Sequence, residues 1–426
     1  MNHTVEKVRL KNGAEGLLID IPAVDVMSYD IVFRAGDYLS PADKTDTAHL
    51  MEHLVLGANK RYPSSKKYNR AFTKYGAYNN AYTGDYHMGY DAECAASEAY
   101  RITDLLFAAI EQPLFTNKEF KSEMGNVDEE LKMRRNYHET ELGLSLQNAL
   151  GLVPKSFTER IKQLPNIKLK DVNDHYKNTH FSSNMRFLIA GPLAKYRNKM
   201  LGRIENTLLP VGNGLIDLPN EKPINLGKPI VLTNNHLDNV CYRWESVLPI
   251  LDNQLQRDSM LMVLEALFNG FNSKVFGRLR ELGLAYGIYS SLYETKNNSI
   301  FTISGQVQAS NIIKLSKILR QELNKIADTG VSPTLLNELK KRSIGSLVRS
   351  NQTAGAISNW YNGPFTMFGR HEPFSDLPNR ISSVTNQTVI EAANTLINSK
   401  INGVGFMHNP SDKLNADKIQ QILIGQ

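Results

Sequence analysis

The strongest constraint on this chain lies in nine residues, Ala48 to Leu56, which read A-H-L-M-E-H-L-V-L. Leu50, Met51, Leu54, Val55 and Leu56 suit a buried helix, and Gly57 marks its stop. On such a helix His49, Glu52 and His53 fall at i, i+3 and i+4, on one face and one turn apart. Two imidazole nitrogens can then reach one metal ion, each about 2.0–2.1 Å from a zinc, with Glu52 beside them to hold a water. H-x-x-E-H is the inverted order of the H-E-x-x-H zinc motif. The bland alternative is two buried histidines and a capping glutamate.

A catalytic zinc site usually has a third protein ligand and keeps its fourth position for water. The stretch Lys118 to Arg135, KEFKSEMGNVDEELKMRR, supplies a candidate. It is polar, Glu-rich and free of proline, so it predicts a helix. On that helix Glu123 and Glu130, seven residues apart, share a face two turns apart.

Taken in order, the chain reads as α+β. Val5–Leu10, an Asn-Gly turn and Gly16–Ile21 predict a hairpin. Val26–Arg34 follows as a strand, then the histidine helix, a short amphipathic helix over Ser64–Tyr75, and paired strands over Ala77–Asp91. Helices over Ala99–Gln112, around Glu123 and Glu130, over Thr140–Leu152 and over Lys168–Lys177 lead to a strand at Met185–Ala190. His87, His175 and His180 are read as structural. Val211 to Lys228, rich in Gly, Pro and Asn without a period, is the best linker. Beyond it the order repeats in outline. Strands are expected at Asn239–Val247, Leu284–Tyr293, Ser299–Val307 and Ile401–Met407. Helices are expected at Arg257–Phe268, Ile312–Ala327, Pro333–Ser350, Ala354–Tyr361 and Thr388–Ile397. LMVLEALFNG stands where HLMEHLVLG stood, without a histidine. The expected architecture is two similar domains, each a mainly antiparallel sheet packed against helices, with boundaries at 1–212, a linker at 213–228, and 229–426.

Charge and cysteine usage narrow the function classes. The net charge of +6 reads as spread along the chain, with no basic stripe or module for nucleic acid. Cys94 and Cys241 lie far apart in apolar surroundings, which argues for buried thiols in a reducing compartment rather than a disulfide. No apolar stretch reaches membrane-spanning length and the N-terminus has no apolar signal region. The expected location is cytoplasmic, with no membrane partner.

The inverted motif, followed by E-x-x-N-V-x-x-E (Glu123, Asn126, Val127, Glu130) with Glu130 77 residues after His53, resembles the pitrilysin-type inverzincin metallopeptidases. That family has half-size bacterial members related to the mitochondrial processing peptidase and insulin-degrading enzyme. The resemblance implies one Zn2+ per chain on His49, His53 and Glu130, with Glu52 as general base and Glu123 orienting a ligand. Asn80-Ala81-Tyr82-Thr83 resembles the family's substrate-binding strand. In SKVFGRLRELGLAY, Arg280 and Tyr286 match an Arg and a Tyr that reach the substrate, with Arg278 as the fallback. The implied activity is endopeptidase cleavage of extended peptides by a homodimer. The alternatives are a non-catalytic partner subunit of a heterodimer and a dedicated precursor- or leader-processing protease.

Overall fold

A computed structural model describes residues 2–251, 253–270, 272–285 and 287–425. Six strands form the first sheet: β1 (Thr4–Arg9), β2 (Glu15–Asp20), β3 (Val26–Phe33), β4 (Tyr78–Thr83), β5 (Met88–Ala95) and β6 (Met185–Gly191). Their order is β1-β2-β6-β3-β5-β4, with only β2 and β6 parallel. The Asn-Gly turn closes the β1–β2 hairpin, and Gly13 takes φ +85°, a conformation that favours glycine. Five strands form the second sheet: β7 (Ile230–Thr233), β8 (Val240–Pro249), β9 (Ile288–Glu294), β10 (Asn298–Val307) and β11 (Ile401–His408). Their order, β7-β11-β8-β10-β9, with β7 and β11 parallel, repeats β2-β6-β3-β5-β4 strand for strand. Two α+β units of one topology follow, as the repeated element order predicts.

The units do not follow the chain as two consecutive blocks. The first comprises Met1–Lys132, Glu159–Pro219 and Val348–Pro373; the second comprises Met133–Thr158, Asn220–Leu347 and Phe374–Gln426. The expected boundaries at 1–212 and 229–426 thus miss two exchanged segments. The helix His138–Ala149 packs on β8 and β11. Its Leu146, with Leu150 just beyond, joins Val247 and Ile300 in one core cluster. Gly403 and Gly405 of β11 make room for it: a Cβ on either would lie 3.0–3.1 Å from the ends of Leu142, Leu146 or Leu150. Reciprocally, the helix Ala354–Phe368 packs on β3 and β6, burying Ile357, Tyr361 and Phe365. It runs through Pro364, past the expected end at Tyr361. Burial of that face outweighs the ~3 kcal/mol an interior proline costs.

A buried polar triad accompanies each exchanged helix. In the first unit Asp30 of β3 accepts hydrogen bonds from Tyr82 Oη of β4, at 3.2 Å, and from Asn362 of the helix. In the second, Glu245 of β8 accepts from Gln147 of the helix at 3.0 Å, and Gln147 also donates to Tyr293 Oη of β9 at 2.6 Å. The registers match. Tyr82 lies across Gly89 from Val32, two residues past Asp30, and Tyr293 lies across Ile300 from Val247, two past Glu245.

Burial, reinforced by neighbouring Asp91, lifts the Asp30 carboxyl to about 7. A folded-state pKa raised above the unfolded value favours the neutral acid. The stability it contributes is complete below about pH 4 and is lost as pH rises through about 7. Relative to Asp30→Asn, the native protein should therefore lose on the order of a few kcal/mol between pH 4 and 8. Denaturant unfolding across that range checks it; a flat difference would show that Asp30 is already ionised in the folded chain.

Among the described residues five helices, Phe157–Gln163, Arg197–Glu205, Phe276–Glu281, Leu377–Ser383 and Ala416–Ile424, and the short β7 are not expected from the sequence and are found only in the structure. The strand expected from Leu284 begins at Ile288. Cys94 and Cys241 are buried and unpaired. No helix of the described residues is long and apolar enough to cross a membrane.

Candidate metal centre

The motif helix spans Thr47–Val55. Ala48, Leu50, Met51, Leu54 and Val55 anchor it in the core, which leaves His49, Glu52 and His53 on the remaining face. The second helix, Asn117–Arg135, buries only Val127 and Leu131 and presents Glu123 and Glu130 to the histidines. Glu130 Oε2 lies 3.6 Å from His49 Nε2 and 3.5 Å from His53 Nε2. These separations are long for hydrogen bonds but right for a shared ion. Two donors each about 2.05 Å from a tetrahedral zinc stand about 3.3 Å apart. Ligand atoms of His49, His53 and Glu130 all fall within 4.8 Å of one another, so the three could hold a metal.

Each imidazole is held from behind. His53 Nδ1 bonds Glu123 Oε2 at 3.0 Å, and Asn126 Nδ2 donates to the same oxygen at 3.0 Å. The His53 and Asn126 contacts keep the Glu123 carboxyl below its ordinary range. His49 Nδ1 bonds Asp46 Oδ1 at 3.1 Å. Burial alone would raise Asp46, but the His49 bond and the Arg160 guanidinium overcome it and bring its carboxyl down to about 2. Burial likewise opposes charge on His53; Glu123, Glu130 and Glu52 outweigh it and lift the imidazole to about 9. The pocket is therefore rich in negative charge and suited to a divalent cation, whose binding would displace protons.

Glu52 is not one of the three ligand groups. Its Oε2 accepts a 2.6 Å bond from Thr83 Oγ1 on β4, which ties the carboxylate to the end of the sheet's edge strand. Strand alternation divides the expected binding residues. Ala81 and Thr83 face the histidine helix, whereas Asn80 and Tyr82 fall on the opposite face. There Asn80 bonds Asp91 and Tyr82 bonds Asp30. A peptide at β4 would thus meet Asn80 through its backbone, not through its side chain at the metal pocket.

Arg280 lies on the helix Phe276–Glu281 of the second unit and lines a cavity of about 540 Å3 with Glu139, Gly283 and Tyr289. Arg278 pairs with Glu322 at 3.1 Å. Tyr286 lies outside the described residues. His175 bonds the Ala35 carbonyl at 2.8 Å, and His180 stacks on Phe33 and Tyr176, so both pack the core. His87 is held neutral by burial, lowered to about 4.

Sequence reasoning missed Asp46 and Arg160. Asp46 sits one turn before His49, a spacing that could have exposed it; Arg160 is 114 residues away in the chain, and no local signal links them. The positive charge is also less evenly spread than expected. Lys60, Arg61, Lys66, Lys67, Arg70 and Lys74 lie between His53 and Asp85 with no acidic residue among them. They occupy the loop and the helix Ser65–Thr73 that lead into β4.

Residues 17–150 match the family model described as Insulinase (Peptidase family M16), and residues 166–343 match the Peptidase M16 inactive domain. The chain is 21% identical to an uncharacterized zinc protease of Rickettsia felis over 92% of its own length and 94% of that protein's. It is 21% identical to the uncharacterized zinc protease YmxG of Bacillus subtilis, over 90% and 94% of the two chains. Among solved structures, a protease from Helicobacter pylori superposes with a TM-score of 0.84 at 16% identity, covering 95% of this chain and all (100%) of that one. The periplasmic protease PqqL of Escherichia coli superposes with a TM-score of 0.81 at 14% identity, covering 99% of this chain and 50% of the PqqL chain.

Proposed function

Because the chain belongs to the M16 peptidase family, as a half-size member of the pitrilysin type, we propose that it is a zinc-dependent endopeptidase acting on extended peptides. The observation that carries this reading is the convergence of His49, His53 and Glu130 at ligand spacing, with Glu52 beside them but outside the ligand set. His49, His53 and Glu130 would hold one Zn2+ per chain. When bound, the ion supplies Lewis acidity, which polarises the scissile carbonyl and acidifies water at the open position. Glu52 takes the proton from the attacking water and returns it to the leaving amine. Thr83 aims the carboxylate by donating to Oε2, leaving Oε1 for the proton.

Substrate binding follows from the sheet edge. β4 pairs with β5 on one side and ends the sheet on the other. An extended peptide can add to the open edge through main-chain bonds, reading sequence only through alternate side chains. Folded proteins should be poor substrates. Arg280 and Tyr286 would grip the peptide or stabilise the oxyanion, with Arg278 as the alternative arginine. The unpaired buried thiols favour the cytoplasm. The test is metal content together with cleavage of a quenched peptide. A protein that holds no metal and cleaves no peptide would leave only the reading of a non-catalytic partner subunit. A screen of peptide lengths and sequences would separate general clearance from leader processing.

Two further outcomes are expected. Glu123→Gln should weaken zinc about ten- to a hundredfold in a chelator competition, because His53 loses a charged acceptor at Nδ1. The zinc residues and the Arg280/Tyr286 pair lie on one chain, which suits a closed twofold homodimer with the second unit of one protomer completing the site of the other. Mixing inactive Glu52→Gln and Tyr286→Phe proteins should then restore activity up to about a quarter of the native value, since a mixed dimer holds one intact site. No recovery after confirmed subunit exchange would exclude shared sites.

A further inference from the structure

Asp46 stands at the N-cap of the motif helix but makes no capping bond with its side chain. That common structural use of an Asp is not taken. The carboxylate is fully buried, at 0% exposure, and both oxygens are engaged elsewhere. Oδ1 accepts from His49 Nδ1 at 3.1 Å and from Arg160 Nη2 at 2.5 Å; Oδ2 accepts from Arg160 Nε at 3.1 Å. Arg160, itself only 14% exposed at its side chain, thus grips Asp46 with a two-pronged fork. A buried carboxylate held this way has little freedom to turn, and neither has the imidazole bonded to it. The arrangement mirrors the opposite histidine, where Glu123 takes Nδ1 of His53.

We infer that Asp46, clamped by Arg160, is a positioning residue that fixes the tautomer and orientation of His49 so that Nε2 faces the metal. The inference rests on the reading of His49, His53 and Glu130 as zinc ligands. An imidazole with its proton on Nδ1 presents the Nε2 lone pair; a ring lacking that acceptor can turn or carry its proton on Nε2, where it cannot ligate. His53 receives its acceptor from another helix, whereas His49 receives one from its own helix that a distant arginine makes rigid. The two ligands of the motif are therefore oriented by independent devices, and losing one should leave the other in place.

The test is zinc affinity by chelator competition for the native protein, Asp46→Ala and Asp46→Asn, with unfolding of the metal-free proteins as the control for folding. Asp46→Ala should lose about ten- to a hundredfold in affinity. Asp46→Asn keeps an oxygen that can accept from Nδ1–H and should recover at least part of that loss. Unchanged affinity in Asp46→Ala, or an Asp46→Asn protein no better than Asp46→Ala, would overturn the inference. Should Asp46→Ala fail to fold, the zinc-loaded native protein decides by nuclear magnetic resonance: the His49 Nδ1 proton should be protected from exchange, and a freely exchanging proton overturns the assignment. A native protein that binds no zinc at all would instead sink the metal reading on which this one stands.

Discussion

Replacing His49 or His53 with alanine is expected to strip the chain of zinc and abolish peptide cleavage. Each supplies one of three ligand atoms that lie within 4.8 Å of one another, and two ligands do not make a catalytic zinc site. The loss should exceed about a thousandfold in kcat/KM, since water without the metal is far less acidic and a far scarcer source of hydroxide. Glu130→Gln should behave alike, because it removes the charged oxygen 3.5–3.6 Å from both Nε2 atoms. His49 is buried and His53 half-buried, so the His49 variant should also lose more stability, about 1 kcal/mol from the lost bond to Asp46, which keeps Arg160. Metal analysis after gel filtration, with a peptide assay on the same fractions, checks the set. A His53→Ala protein that retains one equivalent of zinc and normal turnover would remove the motif from the chemistry.

The legible part of this site was what a helix writes into a sequence. His49, Glu52 and His53 share a face because of their spacing, and Glu123 and Glu130 do so two turns apart. The sheets were legible where strands alternate or a turn has its own chemistry, as at Gly13. The exchanged helices were not. Whether Leu142 and Leu146 cover β11 or a nearer strand depends on two glycines some 260 residues later, Gly403 and Gly405, and an amphipathic pattern says only that a face is buried, not against what. The Asp46–Arg160 clamp was hidden for the same reason: half of it is local and half is 114 residues distant. Asn80 shows a different limit. The strand was found, but the side of the sheet to which Asn80 points depends on register, and a shift of one residue exchanges the two faces. Thr83, three residues on, lies on the face of the histidine helix and reaches Glu52.

Glu52→Gln should divide metal binding from catalysis. The substitution keeps the shape of the side chain and its acceptor for Thr83 Oγ1, and it leaves His49, His53 and Glu130 untouched. Zinc content should stay near one per chain. Turnover should fall by about 10²- to 10⁴-fold, the range that a positioned general acid–base supplies, with KM little changed, because on the proposed mechanism Glu52 would act on the proton in flight rather than on the bound peptide. Thr83→Val offers the graded comparison. It removes the 2.6 Å donor and frees the carboxylate to swing, so kcat should fall by a smaller factor, about tenfold, while the base itself remains. The order of the two effects carries the argument. If Thr83→Val costs as much as Glu52→Gln, the hydroxyl has a chemical part of its own beyond aiming the carboxylate. If Glu52→Gln keeps near-native turnover at full zinc content, Glu52 is not the base, and the proton must leave by another group on the same face.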